Sequence, residues 1–359
     1  MKHYLSICWC ILCLFACGVS SKNSELLIIP VDVAQNSPVR LSELSDDIKK
    51  IELETSDECV IGRIGQVLCD DDRIFILDMG AGRSLIHAFD LSGKFLFAIN
   101  RRGRGPGEYI YINAMAFDEV NKHLYITSQG KILKYDRNGN FIDERSRVDF
   151  MEYIRFENDF LHVFTQEFTR PMGNNTVANI AIMMRYSRDW QPVDTMVVKT
   201  MIVPGIVGAT GTNVDFVSKD NRGNLFVYYP ICLYEPFVRD TLYMLDKNRL
   251  IPYAKLKFSD ENPSKRNKNI YSISHTSHLL IAEYVSFSEK GKKYFCYDFR
   301  SKTGKNMTGG FLDDVYDTGL TEIRLLNSRY FYFVKEAEYA PDIELEPNPA
   351  LYIGKFKNK

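Results

Sequence analysis

The stretch that decides the fold lies between residues 72 and 99. It holds two apolar segments, DRIFILD at 72–78 and SLIHAFD at 84–90, then the turn LSGK at 91–94 and a third segment, FLFAI, at 95–99. The segments have the two-residue period of strands, and the turn contains a glycine, which tolerates the positive φ that a tight hairpin requires. The stretch is therefore predicted to form consecutive antiparallel strands joined by hairpins.

The same unit recurs along the chain. A second clear copy runs through NKHLYIT at 121–127, KILKYD at 131–136, the turn RNGN at 137–140 and FI at 141–142; less regular copies include residues 182–191, 224–246, 279–305 and 329–356. The residues that enter the turns, Asp90, Asp136, Ser187, Asp246 and Asp298, are separated by 46, 51, 59 and 52 positions. These spacings are close to the roughly 40–50 residues of a propeller blade. The prediction is an all-β, six-bladed β-propeller of four-stranded antiparallel blades.

A propeller must also close, because a single sheet leaves two unpaired edges. Two N-terminal segments, 25–31 and 50–53, are alternatives for completing the last blade beside residues 351–356. No long Pro- or Gly-rich linker divides residues 40–357, so one propeller domain is predicted over 26–359. Residues 41–50 are predicted to form one short helical turn.

Composition excludes several classes of protein. The 359 residues carry 45 Lys and Arg against 46 Asp and Glu, and 13% are aromatic. The near-zero net charge of −1 argues against a nucleic-acid binder that depends on bulk electrostatics. The overall balance is that of a globular protein rather than a polytopic membrane protein.

The first residues resemble an export signal. Residues 4–16 are an apolar run of 13, shorter than the roughly 20 residues that span a membrane. The sequence LFAC at 14–17 resembles a bacterial lipobox, which implies cleavage after Ala16 and lipidation of Cys17. The alternative is an ordinary secretory signal with a chance cysteine. Residues 1–16 are thus predicted to be a lipoprotein signal peptide and 17–25 a flexible tether.

A family resemblance appears after the first repeat. Residues 100–109, NRRGRGPGEY, followed by INAMAFD at 112–118, resemble an inter-blade junction of NHL-like propellers. The whole chain resembles the six-bladed propeller lipoproteins of gut Bacteroidota. That resemblance implies the propeller fold and attachment to the cell envelope, in the outer membrane.

Few residues are candidates for chemistry. The arginines of 101–105 suit a phosphate or carboxylate, but a solvated junction loop, with Glu108 pairing one arginine, is the favoured interpretation. His275 and His278 are three residues apart, a metal-ligand spacing on a helix, but their flanks predict strand. The acidic runs 70–72 and 313–314 lack the ligand spacing of a calcium loop, and turns explain them. Cys59 and Cys69 are a candidate disulfide, but a small core hydrophobe is the favoured role for most of the cysteines beyond Cys17. No catalytic, cofactor-binding or metal-binding residue is predicted, and Cys17 is the one predicted modification site.

Two functions remain open at this point. The favoured one is a non-catalytic binding or scaffold propeller for an envelope protein or peptide, with no nucleic acid and no cofactor. Loops 170–179, 201–215 and 337–349 are its predicted recognition elements. The alternative is a propeller-type lyase or hydrolase at the channel mouth, for which His275, His278, Asp313 and Asp314 are the nearest candidates.

Overall fold

The structure, a computed structural model, describes residues 26–80, 82–146, 150–173, 176–204, 215–229, 237–262, 265–337 and 346–357. An N-terminal arm comes first, with β1 (Leu27–Val31), the single-turn helix α1 (Leu41–Leu44) and β2 (Ile48–Glu52). Blade A contains β3 (Ile64–Cys69), β4 (Arg73–Asp78), β5 (Leu85–Asp90) and β6 (Phe95–Ile99). Blade B contains β7 (Ala114–Asp118), β8 (His123–Ser128), β9 (Lys131–Asp136) and β10 (Phe141–Ser146).

The later blades follow the same plan. Blade C contains β11 (Phe150–Glu157), β12 (Phe160–Gly173), β13 (Thr176–Ser187) and β14 (Pro192–Pro204). Blade D contains β15 (Val217–Lys219), β16 (Leu225–Val227), β17 (Thr241–Asp246) and β18 (Arg249–Phe258). Blade E contains β19 (Lys268–Thr276), β20 (Leu279–Ser286), β21 (Lys292–Asp298) and β22 (Thr303–Thr308). A hairpin of β23 (Phe311–Asp313) and β24 (Gly319–Thr321) leads into blade F, with β25 (Arg324–Leu325), β26 (Tyr330–Lys335) and β27 (Ala350–Lys355).

The six antiparallel blades form a six-bladed β-propeller, as predicted. The fourth strand of blade F is β2, which pairs antiparallel with β27, Ile51 opposite Leu351. Of the two alternatives for closure, the segment around 50–53 is therefore correct. The other is wrong: β1 adds in parallel to β18 as a fifth strand of blade D, with Leu27 opposite Ala254.

The predicted glycine turns have a shared chemistry. The Asp90 carboxylate accepts hydrogen bonds from the backbone N–H groups of Ser92 and Lys94, and Asp136 does the same with Asn138 and Asn140. The glycines of both turns, 93 and 139, have φ of +91° and +81°. Asp therefore organises the turn and Gly supplies its left-handed residue.

The hydrophobic core is divided among the blades. Six separate clusters of buried side chains lie between neighbouring blades, one for each of the contacts A–B, B–C, C–D, D–E, E–F and F–A. At the A–B contact, for example, the rings of Phe75 and Phe117 stack with centroids 5.5 Å apart. Each blade thus buries both faces only because the ring is closed.

One predicted recognition loop is wrong. Residues 170–179 belong mostly to β12 and β13, which form a long hairpin in blade C. Of the second loop, 201–204 lie in β14, and residues 205–214 are outside the described part of the chain, as are 338–345 of the third.

Candidate functional site

Two cavities lie where the innermost strands meet, and a third adjoins them between blades F and A. The first, about 440 Å³, opens where the innermost strands β3, β7, β11 and β25 end, and we call it the mouth. The second, about 40 Å³, lies at the centre and shares Leu68 and Arg155 with the mouth. The third, about 310 Å³, opens where β3 and β25 begin and shares Arg324 and Tyr332 with the central cavity. Arg155 therefore lines both the mouth and the central cavity, and Arg324 lines both the central and the third cavity.

The innermost strands are held together around these cavities by side chains that bond to the backbone of the next blade. Gln66 of blade A donates to the Met115 carbonyl and accepts from the Met115 N–H, both at 2.9 Å. Asn113 of blade B donates to the Met151 carbonyl at 3.0 Å. Such bonds fix the inner strands in place, so the cavities are preformed.

A chain of charges crosses the mouth. Arg155 donates to Glu157 Oε1 at 3.1 Å and to the Leu326 carbonyl of blade F at 2.9 Å, while Lys219 of blade D donates to Glu157 Oε2 at 2.7 Å. Burial alone raises the pKa of Glu157, but the two cations outweigh it and lower the pKa. The carboxylate is therefore ionised and joins blades C and D, while Arg155 extends the network to blade F.

A second network uses the turn between β11 and β12. Asn158 and Asp159 have φ of +49° and +69°, which are left-handed conformations without glycine. Arg188 pairs with Asp159 and with the buried Asp118 of blade B, and its guanidinium lies 4.8 Å from the Phe156 ring centroid. The strained turn is held against the mouth by this arginine.

Two charged side chains of the mouth are not engaged in this way. Glu119 follows β7, Arg329 precedes β26, and both are exposed. Neither makes an ion pair with any residue that the structure describes. The backbone at Arg329 is nonetheless fixed, since its N–H and that of Tyr330 both donate to the Asn327 side chain. These two opposite charges can contact a ligand without first breaking an internal pair.

The central cavity is small and is lined by both polar and apolar side chains. The carboxylate of Asp215 accepts a hydrogen bond from Tyr153 at 3.3 Å, and burial raises the pKa of Asp215. Glu152 accepts from Tyr229 at 2.8 Å. A space of about 40 Å³ holds a few water molecules rather than an organic substrate.

The arginine run lies away from the mouth. Arg101, Arg102 and Arg104 are exposed in the junction before β7, at the opposite end of that strand from the mouth. Glu108 does not pair with any of them; its carboxylate accepts from the Gly105 N–H at 2.7 Å. That predicted ion pair is therefore wrong, and Glu108 instead shapes the glycine turn.

The histidine pair does not converge. His275 is buried between blades D and E, with its ring centroid 4.6 Å from that of Phe226 and 4.5 Å from that of Phe299. Burial lowers the pKa of His275 to about 4, so the ring is neutral at pH 7. His278 lies in the next turn, 3.8 Å from Asp298.

The acidic runs are occupied by protein partners. Lys122 pairs with Asp70 at 2.5 Å and with Asp71 at 2.8 Å, and Arg137 bonds to Asp72, so cations of blade B neutralise this turn of blade A. Asp313 accepts from the backbone N–H groups of 315 and 316, and Asp314 accepts from Ser42. Within the described ranges, no group of three or more His, Cys, Asp or Glu side chains can hold a metal ion.

The cysteines are thiols where they are described. Cys59, Cys69 and Cys296 are free, so no disulfide joins Cys59 to Cys69. Burial raises the pKa of the Cys69 thiol to about 12, which makes it a poor nucleophile. Cys17, the predicted lipidation site, lies outside the described residues.

Sequence reasoning missed the residues of the mouth. Arg155, Arg188, Lys219 and Arg329 belong to no motif, and 174 positions separate the first from the last. Only Arg188 could have been located from the sequence, because it directly follows Ser187, the residue predicted to enter a turn. No helix among the described residues is long and apolar enough to cross a membrane.

Comparison with known proteins identifies a family and a fold. The model of a family described as a domain of unknown function, DUF4934, matches residues 26–355. A solved structure of a candidate exported protein from Bacteroides fragilis superposes with a TM-score of 0.65 at 17% identity, covering 92% of this chain and 100% of that one. A DUF4221 member from Bacteroides vulgatus gives 0.48 at 9% identity, covering 88% and 97%. No relative was found among curated proteins. The NHL-like resemblance stays a prediction.

Proposed function

The chain belongs to the DUF4934 family, and we propose that it is a non-catalytic binding propeller of the cell envelope that recognises a protein or peptide at the mouth. The observation that carries this proposal is the mouth itself. It is a preformed cavity of about 440 Å³, built from turns of five blades, with the opposite charges Glu119 and Arg329 exposed at its wall. Rigid scaffolds that present turns around a cavity are suited to recognition.

The mouth favours binding over catalysis. Its buried cations and carboxylates are already paired with one another, as Arg155 and Lys219 are with Glu157. No histidine or thiolate is placed beside them to transfer a proton or attack a substrate, within the residues that the structure describes. A peptide segment with groups of both signs complements the two exposed charges.

The test is site-specific photocrosslinking in cells that express the full chain. A photoreactive residue replaces Val120, which is 70% exposed at the mouth, or Tyr111, which is 39% exposed in the junction at the opposite end of β7. We expect one defined protein adduct from position 120 and none from 111. Arg329→Glu should abolish that adduct, and Arg104→Glu, the matched control in the junction, should not. Equal adducts from both positions, or an adduct indifferent to Arg329→Glu, contradicts the proposal.

We further propose that the chain is anchored through a lipid on Cys17 after cleavage behind Ala16. The support is the LFAC sequence at 14–17. Metabolic labelling with an alkyne fatty acid should mark the wild-type chain, and Cys17→Ala should abolish the label while Cys13→Ala keeps it. Normal labelling of Cys17→Ala rules the anchor out.

A further inference from the structure

The outer edges of the blades are protected in five cases out of six within the described structure. The edge of blade A is partly covered, since the Phe95 N–H of β6 donates to the Glu54 carboxylate after β2, and β10 of blade B carries Asp143, Glu144 and Arg145. The N-terminal arm covers the edge of blade D with β1, bonds to β22 of blade E through Asn36 and Ser37, and forms the edge of blade F with the Lys-containing β2. Short, charged or covered edges are the devices by which proteins prevent unwanted strand pairing.

The edge of blade C is neither short nor covered within the described residues, and its only interruptions there are two bulges and the prolines at its ends, Pro192 and Pro204. Its outer strand, β14, is 13 residues long and has no further strand beside it among the described residues; we call this strand's outer side the blade C edge. Its two charged residues are engaged, because Asp194 is bound by Arg185 and Lys199 is 4% exposed. Val193, Val197 and Ile202 are instead 47%, 59% and 60% exposed.

The flat part of this edge is its second half. The pairing of β14 with β13 skips Val193 and Val198, which places a bulge at each. From Lys199 to Pro204 the register is uninterrupted, with Lys199 opposite Ala181 and Pro204 opposite Thr176. A segment of six residues in regular β geometry is long enough to pair with one added strand.

An extended chain is the protein partner that can replace water along such an edge, because the free groups of the edge are a row of alternating backbone N–H and C=O groups. The molecule itself shows this mode of binding at blade D, where β1 adds to β18 over five residues in register. We propose that the blade C edge binds an extended segment of a partner protein by strand addition. The exposed Thr200 and Ile202 favour β-branched or apolar residues on the facing side of that segment.

The experiment uses the full chain with a photoreactive residue in place of Ile202. We expect an adduct with a second protein whose crosslinked peptide maps to one short segment. Thr200→Lys should lower the adduct yield about fivefold by placing a charge beside the added strand. Leu96→Lys, which makes the same change at the 42% exposed edge position of blade A, should leave the yield unchanged.

Hydrogen exchange separates strand addition from contact with a side-chain surface. In the purified complex, those amides of 199–203 whose N–H groups point away from β13 should exchange at least tenfold more slowly than in the free protein. Absence of an adduct, an adduct without this protection, or an adduct with a second copy of the chain overturns the proposal. None of these results bears on the mouth, whose crosslinks come from position 120.

Discussion

Asn348 is expected to be a main determinant of stability, although it lies in a segment that the sequence suggested for recognition. Its side chain is buried and donates to the Glu54 carbonyl at 2.7 Å and to the Cys59 carbonyl at 2.6 Å, and it accepts from the Ile61 N–H at 2.7 Å. These bonds tie the segment between β2 and β3 to the segment before β27. The side chain therefore holds together the N-terminal and C-terminal segments at the point where the ring closes.

Asn348→Ala leaves three backbone groups without their partner. At about 1–2 kcal/mol for each buried polar group left unsatisfied, the variant should lose roughly 3–6 kcal/mol of unfolding free energy. With a urea m-value of about 3 kcal/mol/M for a chain of this size, the unfolding midpoint should fall by about 1–2 M. Urea titration followed by intrinsic fluorescence measures both quantities.

Two further variants make the result specific. Asn248→Ala changes an exposed asparagine in the turn between β17 and β18 and should alter stability by less than about 0.5 kcal/mol. Asn348→Asp keeps the acceptor for Ile61 but sets a carboxylate against two carbonyls, so at pH 7 it should be at least as destabilising as the alanine. If Asn348→Ala loses no more unfolding free energy than Asn248→Ala, the bonds of Asn348 do not stabilise the closure of the ring.

Three other variants test local features, each by urea titration. The Asp78 pKa is lowered to about 2, since burial is outweighed by hydrogen bonds to the carboxylate, so this group should contribute about 2 kcal/mol to the loss of stability between pH 4 and pH 2. Other carboxyls with lowered pKa values, such as Asp90 and Asp136, add to that loss, so Asp78→Asn should show a loss smaller by about 2 kcal/mol than the wild type. The His275 pKa of about 4 lies below its unfolded value of 6.5, so this side chain alone should lower stability by about 3 kcal/mol as the pH drops from 6.5 to 4. Burial also lowers the pKa of His162 to about 4, so His275→Phe should reduce the slope by the share of His275 and leave that of His162. Gly107 and Gly82 both have φ of +69°, but a Cβ on Gly107 would meet the Phe141 ring at 2.7 Å, whereas a Cβ on Gly82 would meet nothing within 4 Å. Gly107→Ala should therefore lose about 1–3 kcal/mol more unfolding free energy than Gly82→Ala. Equal losses in the two variants would contradict the packing argument.

The propeller was predictable because its signals are local. In each clear repeat the turn is set by an Asp at its entry and a Gly three residues later, as at Asp90 and Gly93, and the strand pairing follows from the adjacent hairpin. Glu108, in the junction between blades A and B, shows the limit of such local signals. The sequence places it beside three glycines and three arginines. That its carboxylate bonds to the Gly105 N–H and not to an arginine depends on the conformation of the folded turn.

The closing strand and the mouth were harder because they depend on contacts between distant residues. Both β1 and β2 are short strands, and only the course of the arm around blades D and E brings β2, not β1, to β27. Arg188 meets Asp118 across 70 positions, and Glu157 meets Lys219 across 62. No repeating pattern in the sequence indicates such long-range pairs, so the candidate site could be identified only from the folded structure.

The mouth and the blade C edge should respond differently to salt, and this difference tests both. The contacts proposed at the mouth involve the exposed charges Glu119 and Arg329, which are screened when the Debye length falls from about 10 Å at 0.1 M to about 3 Å at 1 M salt. Those at the edge are backbone hydrogen bonds and apolar side-chain pairs, which salt does not screen. Crosslinking from position 120 should therefore weaken steeply between 0.1 and 1 M NaCl, while crosslinking from position 202 should stay constant. Parallel loss at both positions would mean that one charged surface binds one partner, and the edge would then have no separate role.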